Sequence, residues 1–169
     1  MRRFSGSVLA LLGAVLLATA ILHPFPARAG GGEASPIFGV TIPDGYRNWQ
    51  LVAVSHRTDN DQVRAILGND IAMKAYRENT LPFPDGAILA KLEWKRVESA
   101  EFKNAFVPGA PVQIEFMVKD AGKYGKTGGW GFGRFIGGKP ADAQAHGTCF
   151  PCHSANVKNH DIVFTRYAP

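Results

Sequence analysis

The chain reads as an α+β domain, mainly antiparallel β sheet with short helices. Three observations predict this. Residues 87–97 and 112–118 alternate with the period of a strand. Turn-forming clusters separate such segments from their neighbours. No strand–helix–strand alternation runs along the chain, so a parallel sheet is not expected.

The amino terminus is a separate unit. Arg2 and Arg3 precede an uncharged apolar run over residues 8–22 and an Ala27-Arg28-Ala29 cleavage pattern. The run is short for a membrane span, and Pro24 and Pro26 follow it. Residues 1–29 are therefore expected to be a cleaved signal peptide. That leaves residues 30–169 as one exported, periplasmic domain with no stable membrane anchor. The leader carries three arginines and no acid, so the remainder has 16 basic and 14 acidic residues, a net charge of +2. No basic stripe accompanies it, and no nucleic-acid partner is expected.

In chain order, residues 37–43 form a short strand or an extended arm. Asp44-Gly45 is a turn. Trp49, Val52 and Ala53 have helical spacing, so a short helix is expected over residues 46–55, with a strand at 51–54 as the alternative. Residues 62–67 form a strand with Val63, Ala65 and Leu67 on one face. Asn69-Asp70 caps a helix over 71–79, whose apolar side carries Ile71, Lys74 and Ala75, with Met73 and Tyr76 beside them. Pro82 to Gly86 is a turn. In 87–97, Ile88, Ala90, Leu92 and Trp94 lie on one face, and Ala87, Leu89, Lys91 and Glu93 on the other. Residues 108–111, bounded by two prolines, are expected to be a turn. Val112, Ile114, Phe116 and Val118 share one face of the next strand. In 130–136 the glycines 129, 131 and 133 share a face, which permits very close approach of a backbone or ligand. Residues 141–145 lead helically into the next motif, and 161–167 form a terminal strand or extended tail.

That motif is Cys149-Phe150-Pro151-Cys152-His153, the C-x-x-C-H attachment signature of a c-type haem. Residues three and four apart on a helix share a face. Cys149, Cys152 and His153 can thus meet one flat object, two thiols forming thioethers and the imidazole of His153 ligating the iron. Pro151 is tolerated in a first helical turn. Three other readings are weaker. A redox dithiol needs a βαβ context, a zinc site lacks a second cysteine pair, and a short disulfide leaves the histidine unused.

With residues 161–167 (Asp161-Ile162-Val163-Phe164-Thr165-Arg166-Tyr167), this motif resembles the cytochrome P-460 and cytochrome c′-beta family. So do Tyr46-Arg47-x-Trp49, Phe83-x-Asp85-Gly86 before a strand bearing Lys91, Val118-Lys119-Asp120 and Gly129-Trp130. The resemblance spans nearly all of residues 30–169. It implies a mainly β homodimer with one covalent haem c, His153 as proximal ligand, an open distal face and a redox partner protein. It also implies a small gaseous or nitrogen-oxide ligand. In one branch a strand lysine is linked to the porphyrin and hydroxylamine is oxidised. In the other there is no link, and nitric oxide is bound. Lys91 falls at the linking position, although Leu92-Glu93-Trp94 after it departs from the Lys-Glu of the linked enzymes.

Acid–base help near the iron would come from Lys91 and Glu93, neighbours on one strand face. Arg166 can pair with a haem propionate. Phe83, Phe102, Phe106 and Phe132 are candidates for an apolar distal wall, with core packing as the alternative for each. A simple six-coordinate electron carrier would need a second ligand. Met117 and Met73 are the methionine candidates; His56, His146 and His160 are the histidines.

Overall fold

Two cores, one on each side of a six-stranded sheet, account for the architecture. The computed structural model describes residues 32–168; the expected leader lies outside them. The strands are β1 (Gln50–Arg57), β2 (Gln62–Gly68), β3 (Ile88–Glu98), β4 (Phe106–Lys119), β5 (Trp130–Ile136) and β6 (Lys139–Pro140). They lie side by side in sequence order, and every neighbouring pair is antiparallel. Among the described residues, three short helices complete the α+β fold: α1 (Asp70–Arg77), α2 (Ala143–Gly147) and α3 (Cys149–Val157). Among the described residues, no helix is long and apolar enough to cross a membrane.

The alternation of β3 divides its side chains between the two cores. Ala90 and Leu92 pack with Val40, Phe116, Tyr124 and Phe135, a core closed by the segment before β1. Leu89 packs with Met73, Phe83, Trp130, Phe132 and Val163, a core closed by α1 and the carboxy-terminal tail. Both faces of the central strands are thus covered. Lys91 and Glu93, on the Leu89 face, do not stand on an open surface: Glu93 is fully buried and Lys91 mostly so.

Local chemistry fixes the connections. Asn69 caps α1: its Oδ1 accepts the Ala72 and Ile88 backbone N–H groups at 3.0 Å each, and its amide donates to the Gly86 carbonyl at 2.8 Å. Such a cap contributes about 1 kcal/mol. The helix buries Ala72, Met73, Ala75 and Tyr76, while Ile71 stays exposed. Glycines 131 and 133 make room for side chains. A Cβ at Gly131 would lie 2.3 Å from the Tyr124 ring, and one at Gly133 would lie 2.8 Å from Val40.

Several expectations are corrected. Residues 108–111 are not a turn but part of β4, with Pro108 opposite Arg96 and Pro111 opposite Trp94, at register irregularities of the β3–β4 pair. The hydrogen bonds to β5 begin only at Ile114. Proline is tolerated there, because bulges and unpaired edges do not need its missing N–H. Residues 46–55 are not a helix. A single 3-10 turn, Tyr46–Asn48, gives way at the extended Trp49 to β1, which pairs with β2. Of the alternatives left open, the strand at 51–54 falls within β1, residues 37–43 are the arm and 161–167 the extended tail.

Candidate functional site

The helices α2 and α3 pack against the end of β5. Asp142 caps α2, its carboxylate accepting the Ala145 N–H at 2.7 Å. His146 is fully buried. Its Nε2 accepts the backbone N–H of Arg134 at 2.9 Å, so Nδ1 carries the proton donated to the Asp142 carbonyl at 2.8 Å. With both nitrogens engaged, His146 braces the helices and is not a ligand candidate. The Thr148 hydroxyl donates to the Ala145 carbonyl at 2.8 Å, and α3 begins at Cys149. Pro151 sits in its first turn, where the backbone N–H has no intrahelical partner to lose.

One face of α3 brings Cys149, Cys152 and His153 to a cavity of about 920 Å³, between the helix, the tail and the sheet. The His153 ring lies edge-on between Phe132 (5.1 Å between centroids) and Phe164 (4.9 Å). Its Nδ1 is 2.7 Å from the Ile162 carbonyl oxygen. A carbonyl only accepts, so Nδ1 bears the proton and the Nε2 lone pair is free. Burial lowers the imidazole pKa more than that hydrogen bond raises it, so the ring is held neutral, as a metal ligand must be. Burial, with the nearby Glu115 charge, pushes the Cys149 thiol up.

The sheet side of the cavity carries a row of charges set by register. Lys91 lies opposite Glu115, and Glu115 opposite Arg134. The Lys91 ammonium contacts the Glu115 carboxylate and lies 3.0 Å from Glu93 Oε1. Arg134 Nε donates to Glu115 Oε1 at 2.6 Å. Gln113 donates to Glu93 at 2.5 Å and to Glu115 at 3.1 Å. Arg64 Nε stands 2.9 Å from Glu93 Oε1 without hydrogen-bond alignment. Burial alone would raise the Glu115 pKa, but the charges of Lys91 and Arg134 outweigh it and hold the carboxyl below its usual range.

These residues fit a haem. The cavity is at the upper end of the ~300–1,000 Å³ usual for cofactor sites. Two thiols and an imidazole with a free nitrogen open onto it. Leu89, Met117, Phe132 and Phe164 offer apolar contact to a flat ring, and Arg57, Arg64, Arg134 and Arg166 offer guanidinium partners to its acids. The family model for cytochrome P460 matches residues 43–165, which hold the whole sheet and the cysteine-bearing helix. The chain belongs to the cytochrome P460 family. It is therefore a haem-binding cytochrome. No curated protein matches it.

In this cytochrome P460 relative, Lys91, Cys149, Cys152, His153 and Arg166 all line the one cavity. Glu93 does not. It lies behind Lys91, neutralised from both sides, and Glu115 takes the place on the wall expected of it. Arg166 is anchored by a 3.1 Å bond from Nη1 to the Val163 carbonyl. Of the aromatic candidates only Phe132 reaches the cavity. Phe83 is core, and Phe102 and Phe106 are exposed on the β3–β4 hairpin. Met117 is on the wall, whereas Met73 is core. His56 pairs with Asp61 at the surface, and His160 hydrogen-bonds the Val163 carbonyl. Glu115, Arg57, Arg64 and Arg134 also line the cavity and belong to none of the sequence motifs. Cross-strand register, which places Glu115 beside Lys91, was the missing signal.

Proposed function

We propose that this protein is an exported mono-haem c-type cytochrome that oxidises hydroxylamine or a closely related small nitrogen-oxide species. Cys149 and Cys152 would hold the group by thioethers and His153 would ligate its iron. The group supplies the electron-accepting metal. The chain's residues supply everything around it. Arg166 and Arg57 neutralise its acids, Phe132 and Phe164 fix the plane of His153, and Lys91 and Glu115 face the reacting space. Oxidising hydroxylamine removes protons along with electrons, and Glu115, held ionised on the cavity wall by Lys91 and Arg134, would orient the substrate for their loss. The electrons leave to a redox partner protein. The observation that carries this reading is that Lys91 and Glu115 line the same cavity as Cys149, Cys152 and His153.

A second reading, nitric oxide capture without turnover, is favoured by the apolar stretch of wall formed by Leu89, Met117, Phe132 and Phe164. A homodimer is part of the proposal. Edge strand β1 exposes Leu51, an apolar residue off the cavity that a second copy would cover.

The test is intact mass and peptide mapping of the purified holoprotein, with a hydroxylamine turnover assay. The expected result is a chain shortened by residues 1–29, one haem on the Cys149–Cys152 peptide, a haem-linked Lys91 peptide, and turnover. A free Lys91 with nitric oxide binding and no turnover selects the second reading. A protein without covalent haem, or with iron saturated by two side chains, overturns both.

A further inference from the structure

Two segments that carry the family likeness, Val118-Lys119-Asp120 and residues 161–167, meet away from the cavity. Lys119 ends β4 and is only 5 % exposed. Its Nζ donates to both carboxylate oxygens of Asp161 at 2.9 Å and to the Gly128 carbonyl at 3.1 Å. It also stands 5.1 Å from the centre of the Trp130 ring. Asp161 Oδ2 accepts a further bond, from the Phe83 backbone N–H at 2.8 Å.

The backbone that follows is unusual. Asp161 and Ile162 are both left-handed, with φ of 48° and 55°. Aspartate visits this region with little difficulty, but a β-branched isoleucine is an outlier there and persists only where its surroundings impose it. The Ile162 side chain is buried in the core, and the Val163 N–H closes the turn onto the His160 carbonyl at 2.9 Å. The product of this turn is one directed carbonyl, that of Ile162, which receives the Nδ1 proton of His153.

We propose that the buried Lys119–Asp161 ion pair is the positioning device for the haem ligand. It holds the left-handed turn, and the turn presents the Ile162 carbonyl to His153. The inference rests on His153 being the axial ligand. Lys119 lies off the cavity wall, so it acts through Asp161 and the turn. A carbonyl bound at Nδ1 fixes the tautomer and the ring orientation, and makes the imidazole a stronger donor. A stronger donor favours the oxidised metal and lowers the reduction potential. Releasing the carbonyl does the reverse.

The test compares holoproteins of the wild type, Lys119→Met, Asp161→Asn and the double variant. The readouts are the reduction potential and the iron–imidazole stretching frequency of the reduced form. Positioning predicts that both single variants move the potential upward and lower the frequency. A purely electrostatic role predicts opposite shifts, downward on losing the cation and upward on losing the carboxylate, with the frequency unmoved. The double variant strands no buried charge. Its asparagine still accepts from Phe83 and tolerates the left-handed backbone, so it folds even where a single variant does not, and it is expected to show the same upward shift. Opposite shifts in the singles, or a folded double variant with wild-type potential and frequency, overturn the inference. A wild type without histidine-ligated haem fails the reading of the site instead.

Discussion

Lys91 and Glu115 face one another across β3 and β4, and their side chains meet at the wall of the cavity. Each has a second partner, Glu93 for Lys91 and Arg134 for Glu115. The row Arg64–Glu93–Lys91–Glu115–Arg134 thus alternates in sign across four strands. Alternation allows five charges to be covered together, and removing one leaves its neighbours buried and uncompensated.

Glu115→Gln keeps the shape and removes one charge. It is expected to destabilise the protein by about 3 kcal/mol, the scale for breaking a buried pair. Urea unfolding of the two proteins checks this: the midpoint should fall with the slope unchanged.

The same carboxylate gives a pH signature. Its folded pKa is below its usual value, so its stabilising contribution is complete above the unfolded value of about 4.3 and is lost as pH falls through the folded one. The stability gap between wild type and Glu115→Gln should therefore narrow as pH is lowered below about 4.3. Asp61 behaves likewise at the surface. Hydrogen bonds from Arg96 and His56 hold it at about 2. Its contribution is present above an unfolded value of about 3.9 and fades as pH falls toward that lower limit. Unfolding titrations of Asp61→Asn should converge with the wild type only in that more acid range.

Gly131→Ala should cost about 1–3 kcal/mol, because its Cβ would strike the Tyr124 ring and force the strand or the ring to move. Tyr124 is itself held by a 3.1 Å bond from its hydroxyl to the Phe38 carbonyl. Thermal unfolding of the variant measures the effect, and Gly131→Ala with Tyr124→Leu should recover part of it.

Met117→Leu tests the six-coordinate alternative. Met117 is on the cavity wall, between Leu89 and Phe132 in the sheet. The expected outcome is an unaltered absorption spectrum and unaltered ligand binding, since leucine replaces methionine at nearly equal volume. A change from low-spin to high-spin iron would mark Met117 as a ligand.

Much of this was legible in the chain. That Cys149, Cys152 and His153 share a helix face follows from spacing alone, and the structure has that face: α3 starts at Cys149 and turns both thiols and His153 to one cavity. The strands of 62–67, 87–97, 112–118 and 130–136 announce themselves by alternation. What alternation cannot say is whether the second face meets water or another core. Alternation places Lys91 and Glu93 on one face but does not separate their fates: Lys91 lines the cavity, while Glu93 is buried behind it among Arg64, Lys91 and Gln113. Pro108 and Pro111 misled for a related reason, since a bulged edge accommodates residues that a regular ladder refuses. Glu115 and Arg134 needed the pairing register, a long-range property that no local window contains.

The strands pair only with their sequence neighbours, and the cysteine helix follows the last of them. The whole sheet can therefore assemble before Cys149 has left the ribosome or a translocation pore, since local pairings form early. Synthesis then delivers the thiols to a nearly finished receptacle, and the tail that pins His153 arrives later still. Loading and closure would be ordered in time by nothing more than the direction in which the chain is made.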